Sequence, residues 1–424
     1  MENINFERET LEQFGMKIFA LVILFVLTHS MISAQTDTVD VTKKKDKNAN
    51  LLILPVIASN PATGFMFGVA PSANWLMGPR ETTSISNATS SILYTTKKQF
   101  IFTLKSSVLL TGDRWQLIGD WRFFITSQPT FGLGTGPQSA KLVGGSEGFE
   151  YQDGLFSQSI NDAQFMKFNF LRIHETVMTK IGESRFFGGL GYHLDYHYNI
   201  NDQLLNLDTV PPLITSHYAY SVNYGFDDTK YLTSGLSLNA SYDSRDNTLS
   251  PYKGRYAFVS YRLNPTWLGS SQYSSVLWAE YREYFSLSKK RASNLLAFWV
   301  YGNFQIGGTL PYLDLPALGW DQYGRSGRAY AQGRFRGQHL LYAELEWRFP
   351  LQKKKETWSG AVFMNATTAT NFDADIQLFD FVNPGFGCGV RYTIDQKNRS
   401  KLDLDIAGGS YGAKGFYLGG NEAF

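Results

Sequence analysis

From residue 51 onward the chain is written in alternation. Runs of about ten residues recur, rich in Val, Ile, Leu, Phe, Tyr and Thr, each bounded by Gly, Pro, Asn or Asp. In the clearest run, 338 to 349, Leu341, Ala343, Leu345, Trp347 and Phe349 lie on one face. Leu340, Tyr342, Glu344, Glu346 and Arg348 lie on the other. Period two is the geometry of a pleated strand, whose successive side chains point to opposite faces. A chain made of such runs is all-β, and it must cover or abolish its edge strands, as a sandwich or as a barrel.

Counting decides between the two. Sixteen segments can be read, at 51–59, 64–76, 83–95, 99–110, 113–126, 162–174, 183–198, 232–244, 254–264, 274–287, 292–306, 338–349, 359–369, 385–394, 401–408 and 415–424. The connections alternate in length. Those after odd-numbered segments include 127–161, 199–231, 307–337 and 370–384, whereas those after even-numbered ones are mostly short. One-sided long loops are the pattern of a transmembrane antiparallel β-barrel, with long loops outside and short turns in the periplasm. We therefore expect about sixteen strands in an outer-membrane barrel. Its lipid belt would include Leu236, Leu277, Trp347 and Leu404, and Cys388 would share the lipid face with Phe386, Val390 and Tyr392.

Composition narrows the function classes. The formal charge is only +2, which gives a nucleic-acid reading no electrostatic footprint. No window after the first fifty residues is apolar enough for a membrane-spanning helix. Met16-Lys17, the apolar run Ile18 to Leu27 and Ile32-Ser33-Ala34 before Gln35 spell a secretory signal, so residues 1–34 read as a signal peptide whose true start is Met16. The charged stretch 35–50 reads as a periplasmic tether and 51–424 as the barrel domain. Cys388 is the one cysteine, so no intrachain disulfide can form.

Three motifs carry a resemblance. Leu54-Pro55-Val56-Ile57 followed by Asn60-Pro61-Ala62-Thr63-Gly64 looks like a first strand and hairpin. Asp243-Ser244-Arg245-Asp246-Asn247 with Pro251-Tyr252-Lys253-Gly254 is similar to an Asp-x-Arg-Asn-Pro-x-x-Gly turn. Arg336-Gly337 closes the sixth outer loop as an Arg-Gly tip. In this order they resemble the barrel of the BamA/TamA family of outer-membrane proteins, the bacterial surface antigen family. The resemblance implies assembly or translocation of outer-membrane or surface proteins in the outer membrane of a Gram-negative bacterium. The other class of function left open is a passive pore or a structural barrel anchoring a surface complex. It further implies that Arg336, with Phe335 and Gly337, latches the loop inside the lumen. Candidate partners are the inward Glu344, Glu346, Asp403 and Asp405, and Asn365, which stands where the family has an Asp. Family members carry an aromatic after the Arg-Gly pair, and this chain has Gln338 there. The stretch 35–50 is too short for a periplasmic POTRA domain, so a barrel-only member is expected. A final strand ending on Phe424 resembles the aromatic ending recognised during assembly.

Other constellations carry less. His193, Asp195 and His197 share one strand face, but alternate strand residues are too far apart for a compact three-ligand site, and no metal is expected. Gly144-Gly145-Ser146-Glu147-Gly148 has a nucleophile-elbow spelling without the strand and helix that motif needs, and Gly132-Leu133-Gly134-Thr135-Gly136 lacks a βαβ unit. The motif residues Asp243, Arg245, Asn247, Pro251 and Gly254 read as an ordinary turn. We expect no enzyme activity and no cofactor. The expected partners are outer-membrane lipid and lipopolysaccharide, with periplasmic or surface proteins besides.

Overall fold

The computed structural model describes residues 49–60, 64–136, 149–160, 163–353, 355–420, 422 and 424. The expected signal peptide, nearly all of the expected tether, and the spelling at Gly144 to Gly148 lie outside them. Sixteen strands form one sheet in sequential order. They are β1 Ala49–Asn60, β2 Gly64–Trp75, β3 Ser86–Thr95, β4 Phe100–Leu109, β5 Trp115–Thr130, β8 Gln164–Lys180, β9 Phe186–Asp202, β10 Tyr231–Asp243, β11 Gly254–Asn264, β12 Ser274–Ser286, β13 Leu295–Gly308, β14 His339–Pro350, β15 Trp358–Ala369, β16 Asn383–Asp395, β17 Ser400–Gly409 and β18 Lys414–Gly420. A small separate hairpin, β6 Glu150–Gln152 and β7 Leu155–Phe156, stands in the third outer loop. Every expected segment coincides with a strand, and each strand pairs antiparallel with the next in the sheet order.

Alternation sets the two faces. Along β14, Leu340, Tyr342, Glu344, Glu346 and Arg348 are buried, while Leu345 and Trp347 are exposed on the lipid side. Along β16, Phe386, Cys388, Val390 and Tyr392 are exposed and Arg391 is buried. The fold is thus a transmembrane antiparallel β-barrel of sixteen strands. Its two edges are β1 and β18, which are not hydrogen-bonded to each other among the described residues. At the short-turn end, side chains tie β1 to β16 and β2 to β17. Asn50 Nδ2 donates to Asp395 Oδ2 at 2.5 Å, and Asn74 Nδ2 to Ser400 Oγ at 3.1 Å.

Two departures from the expected boundaries matter. Strands β8 and β9 are 17 residues long, well beyond the roughly ten that span a bilayer. Their extra length rises on the long-loop side and walls in an apolar cap of Leu133, Phe168, Phe170, Ile200, Tyr220, Tyr231, Leu310 and Tyr312. The stretch expected as plain loop, 199–231, holds a helix, α1 Ser216–Tyr224, capped by the Thr215 side chain and ended by Gly225 at φ 69°. Its sequence is rich in tyrosine, histidine and serine, which are indifferent helix formers, so packing and not propensity forms it. His217, Ala219, Tyr220 and Ser221 bury into the cap, and Tyr220 Oη donates to the Leu310 carbonyl at 3.0 Å.

Candidate functional site

The sixth loop, residues 309–338, descends into the lumen as a hairpin. Leu318 N bonds the Phe335 carbonyl at 2.9 Å and Gly333 N the Leu318 carbonyl at 2.8 Å, so the tip is the segment between 319 and 332. At the tip, the Asp321 carboxylate accepts from Tyr323 N, Arg325 N and Ser326 N, a local turn that replaces missing backbone partners. The tip touches opposite walls. Arg122 of β5 donates to the carbonyls of Asp321 and Gln322 at 3.0 and 3.2 Å, and Gln322 Nε2 reaches the Ser106 and Gly119 carbonyls at 3.4 Å.

Arg336 is 2% exposed, yet it makes no ion pair among the described residues with Glu344, Glu346, Asp403 or Asp405. Its Nη1 donates to the Tyr312, Leu313 and Leu315 carbonyls at 2.9, 2.7 and 3.4 Å, and the guanidinium lies 5.4 Å from the Tyr312 ring centre. Burial pulls its pKa below the usual guanidinium value, against the opposing pull of Tyr312, Tyr231 and Asp314. Arg336 therefore clamps the base of the hairpin and not the acidic wall. Gly337 is pressed against the seventh loop. A Cβ there would lie 2.0 Å from the Thr370 carbonyl oxygen, so no other residue fits. Phe335 is buried edge-on against Tyr330, 4.9 Å between ring centres.

The acidic wall is taken by Arg328, eight residues nearer the tip. Its Nη1 lies 2.8 Å from Asp405 Oδ2, and its Nη2 contacts both Glu344 and Glu346. Its guanidinium also stacks 3.4 Å over the Phe363 ring. Burial alone would lower the Arg328 pKa, and the three carboxylates overcome this and hold it well above the usual value. Asn365 Nδ2 donates to the Arg328 carbonyl at 3.0 Å, so the two residues do meet, through a neutral bond. Asp403 has no hydrogen bond or ion pair among the described residues; it packs against Gly419. The sequence did hold a signal. The aromatic that the resemblance places two residues after the arginine is Tyr330, and Ala329 stands in the glycine's position with φ 106°.

Arg328 is one member of a balanced network. Arg391 Nη1 contacts Asp405 Oδ1 at 2.5 Å, Arg348 Nε contacts Glu346 Oε1 at 2.6 Å, and Glu422 accepts from Arg391 at 3.0 Å and from Lys401 at 2.6 Å. Burial would raise the Glu422 carboxyl, but Lys401, Arg348 and Arg391 hold it well below the usual range. Four cations and four carboxylates thus join β14, β16, β17, the loop tip and the segment after β18. That segment corrects the expected last strand. Pairing ends at Gly420, and Phe424 turns into the lumen, where it packs 5.3 Å from the Trp299 ring with Arg348 over it. Phe424 is 4% exposed, so it presents no aromatic on the lipid face.

The motif turn is also more than a connection. Residues 244–253 cross the short-turn mouth. Thr248 Oγ1 donates to the Ile85 carbonyl at 3.0 Å, Asn247 Nδ2 to the Asn398 carbonyl at 3.3 Å, and Arg399 pairs with Asp246 at 2.8 Å. Asp243 and Arg245 form a bidentate pair beside it, at 3.0 and 2.6 Å. Tyr252 lies 4.0 Å beneath the Arg399 guanidinium, next to Pro251. Gly254, at φ 108°, would drive a Cβ to 2.3 Å from the Ser244 carbonyl oxygen.

Between the mouth turn and the loop tip lies a cavity of about 280 Å³, lined by residues including Arg172, His174, Asp195, Arg262, Trp278 and Tyr323. Of the residues weighed as metal ligands, His193 and Asp195 line it and are bonded to protein groups, whereas His197 stands outside it. Asp195 binds Arg172 at 2.6 Å, His174 at 2.9 Å and Arg262 at 3.1 Å; His193 bonds Ser237 at 2.8 Å; His197 lies 3.2 Å from Asp314. Among the described residues no cluster is arranged to hold a metal ion.

Comparison with known proteins bears on this arrangement. No curated protein matches the chain. A crystal structure of BamA from Haemophilus ducreyi lacking POTRA domains 1–3 is similar over 91% of this chain and 75% of that one, at 14% identity and a TM-score of 0.51. CdiB from Acinetobacter baumannii is similar over 88% of this chain and 60% of that one, at 13% identity and a TM-score of 0.49. Residues 176–396 match the model of the Omp85 superfamily domain, and the chain belongs to the Omp85 superfamily.

Proposed function

We propose that this outer-membrane barrel assembles or translocates outer-membrane or surface proteins, using the edge between β1 and β18. The observation that carries the reading is that edge. Sixteen strands run in linear order with β1 and β18 unpaired among the described residues, and the side-chain bonds at the foot, Asn50 to Asp395 and Asn74 to Ser400, run from β1 and β2 to β16 and β17 and not to β18. An unpaired edge is a template for an incoming strand, and soluble proteins normally blunt such edges. The passive-pore reading is disfavoured because the sixth loop, α1 and the apolar cap fill the outer half of the lumen. Omp85 membership supports the same class.

The test joins the edges covalently. Paired cysteines at facing positions on β1 and β18, in a Cys388→Ser background, should block function when oxidised and restore it on reduction. The readout is the abundance of folded outer-membrane proteins in a strain depleted of the native copy. A strain whose profile is unchanged on depletion would favour a structural barrel instead.

A further inference from the structure

We infer that the short-turn rim of the β12–β17 wall is a docking surface for anionic phospholipid headgroups of the inner leaflet, engaged through their phosphodiester groups. The inference does not depend on whether the barrel handles client proteins. It begins with a charge asymmetry among the short turns. Turn 287–294 carries Lys289, Lys290 and Arg291 and no acid; turn 351–357 carries Lys353, Lys354 and Lys355 against Glu356; turn 396–399 carries Lys397 and Arg399 and no acid. Their formal charges are +3, +2 and +2. On the other side of the barrel, turns 76–85, 110–114 and 181–185 each balance one cation with one acid: Arg80 with Glu81, Arg114 with Asp113, Arg185 with Glu183.

Hydrogen bonds join the first two of the basic turns to each other and to β16, while Arg399 of the third pairs with Asp246. Arg291 donates to the Gln352 carbonyl, Ser293 Oγ to Glu356 Oε1 at 2.8 Å, and Thr393 Oγ1 to the Glu356 carbonyl at 2.9 Å. The single acid of the two lysine-rich turns is therefore turned toward its neighbours. Lys289, Lys290, Lys353 and Lys355 are exposed, and their ammonium groups make no hydrogen bond or ion pair among the described residues.

Depth points to lipid and not to a soluble partner. The strands that carry these turns end in outward aromatic residues: Phe285 48%, Trp347 45%, Trp358 43% and Tyr392 41% exposed. Trp358 and Tyr392 pack with ring centres 4.9 Å apart, and Trp347 Nε1 donates to Asn294 Oδ1 at 3.0 Å, which ties the belt to the basic turn. An aromatic belt marks the level of the membrane interface. Lysines just beyond it stand at headgroup level, where their stems lie along apolar surface and their ammonium groups reach the phosphates. Each such lysine adds to the attraction toward an anionic leaflet.

The experiment uses the full chain in phosphatidylcholine vesicles doped with equal fractions of dibrominated phosphatidylglycerol or dibrominated phosphatidylcholine, which quench nearby tryptophans such as Trp347 and Trp358. The glycerol lipid should quench more strongly, by about two-fold. Neutralising the rim (K289Q/K290Q/K353Q/K355Q) or raising the salt should bring the two quenchers to parity, and charge reversal (K289E/K290E/K353E/K355E) should invert the order. Heat-dependent gel migration checks that each variant is folded, and the neutral variant serves if the reversed one is not. Equal quenching in the unaltered chain, or a preference that survives neutralisation, overturns the proposal. So does capture of soluble polyglutamate by the rim without any lipid preference, which would reassign the surface to an acidic protein.

Discussion

Two arginines hold the sixth loop, and they do it by opposite physics. Arg328 sits among carboxylates from two wall strands, in a network whose charges cancel. Arg336 sits in the apolar cap without a carboxylate partner, its Nη1 held by three backbone carbonyls and its guanidinium beside a tyrosine ring, while its Nε has no hydrogen-bond partner among the described residues. The first site ties the loop tip to the wall beside the open edge; the second fixes the shape of the loop's own base. A buried arginine thus does not require an acid, provided that the backbone offers it acceptors. What differs is how each site fails. Losing Arg328 strands charges, whereas losing Arg336 strands neutral carbonyls.

The largest effect expected is therefore at Arg328. Arg328→Ala leaves Glu344, Glu346 and Asp405 buried without their shared partner, a loss of about 3–5 kcal/mol. Protease cleavage within 309–338 and single-channel conductance should both rise, and Arg328→Lys should restore only part of the wild-type behaviour because an ammonium cannot span three carboxylates with a planar fork. Arg336→Met should cost about 1–3 kcal/mol, the price of unsatisfied carbonyls, with less change in conductance. Equal phenotypes for Arg328→Ala and Arg336→Met would erase the distinction drawn between the two sites.

A middle-sized effect is expected from pH on the cap side. His217 of α1 is buried near Asp202, His197, Arg336, Tyr231 and Tyr312. Burial, with His197 and Arg336, lowers its pKa from 6.5 to about 3. An undocked helix takes up the proton at the ordinary value, so docking is at full strength above about pH 6.5 and weakens as pH falls toward about 3. The imidazole's own contribution has a slope of roughly 1.4 kcal/mol per pH unit, about 2 kcal/mol at pH 5. Hydrogen exchange across 203–230 should accelerate over that range and become flat in His217→Phe. A wild-type profile already flat would show that the imidazole is not held neutral.

The smallest effect is at Ala329, whose φ of 106° is disfavoured for any side chain. Ala329→Gly should stabilise the latched tip by about 1 kcal/mol and slow proteolysis of the loop. Faster proteolysis would mean that the methyl group's packing outweighs the strain.

The amino-acid sequence by itself determined the wall. Alternation is a property of a few neighbouring residues and of the pleat, so Glu344, Glu346 and Arg348 could be assigned to the lumen, and Cys388 to the lipid side, without knowledge of any partner strand. Loop parity then gave the sense of the barrel. Beyond the Tyr330 signal after Arg328, tertiary structure decided what fills it. Which arginine of a thirty-residue loop meets the acidic face depends on where that loop folds back, and the fold-back is set by the Leu318–Phe335 pairing and the contact of Gly337 with Thr370, neither of which leaves a local pattern. The helix at Ser216 to Tyr224, the inward turn of Glu422 and Phe424, and the crossing of residues 244–253 beneath the lumen share that origin. Each is stabilised by groups far away in the chain, and short-range periodicity carries no information about them.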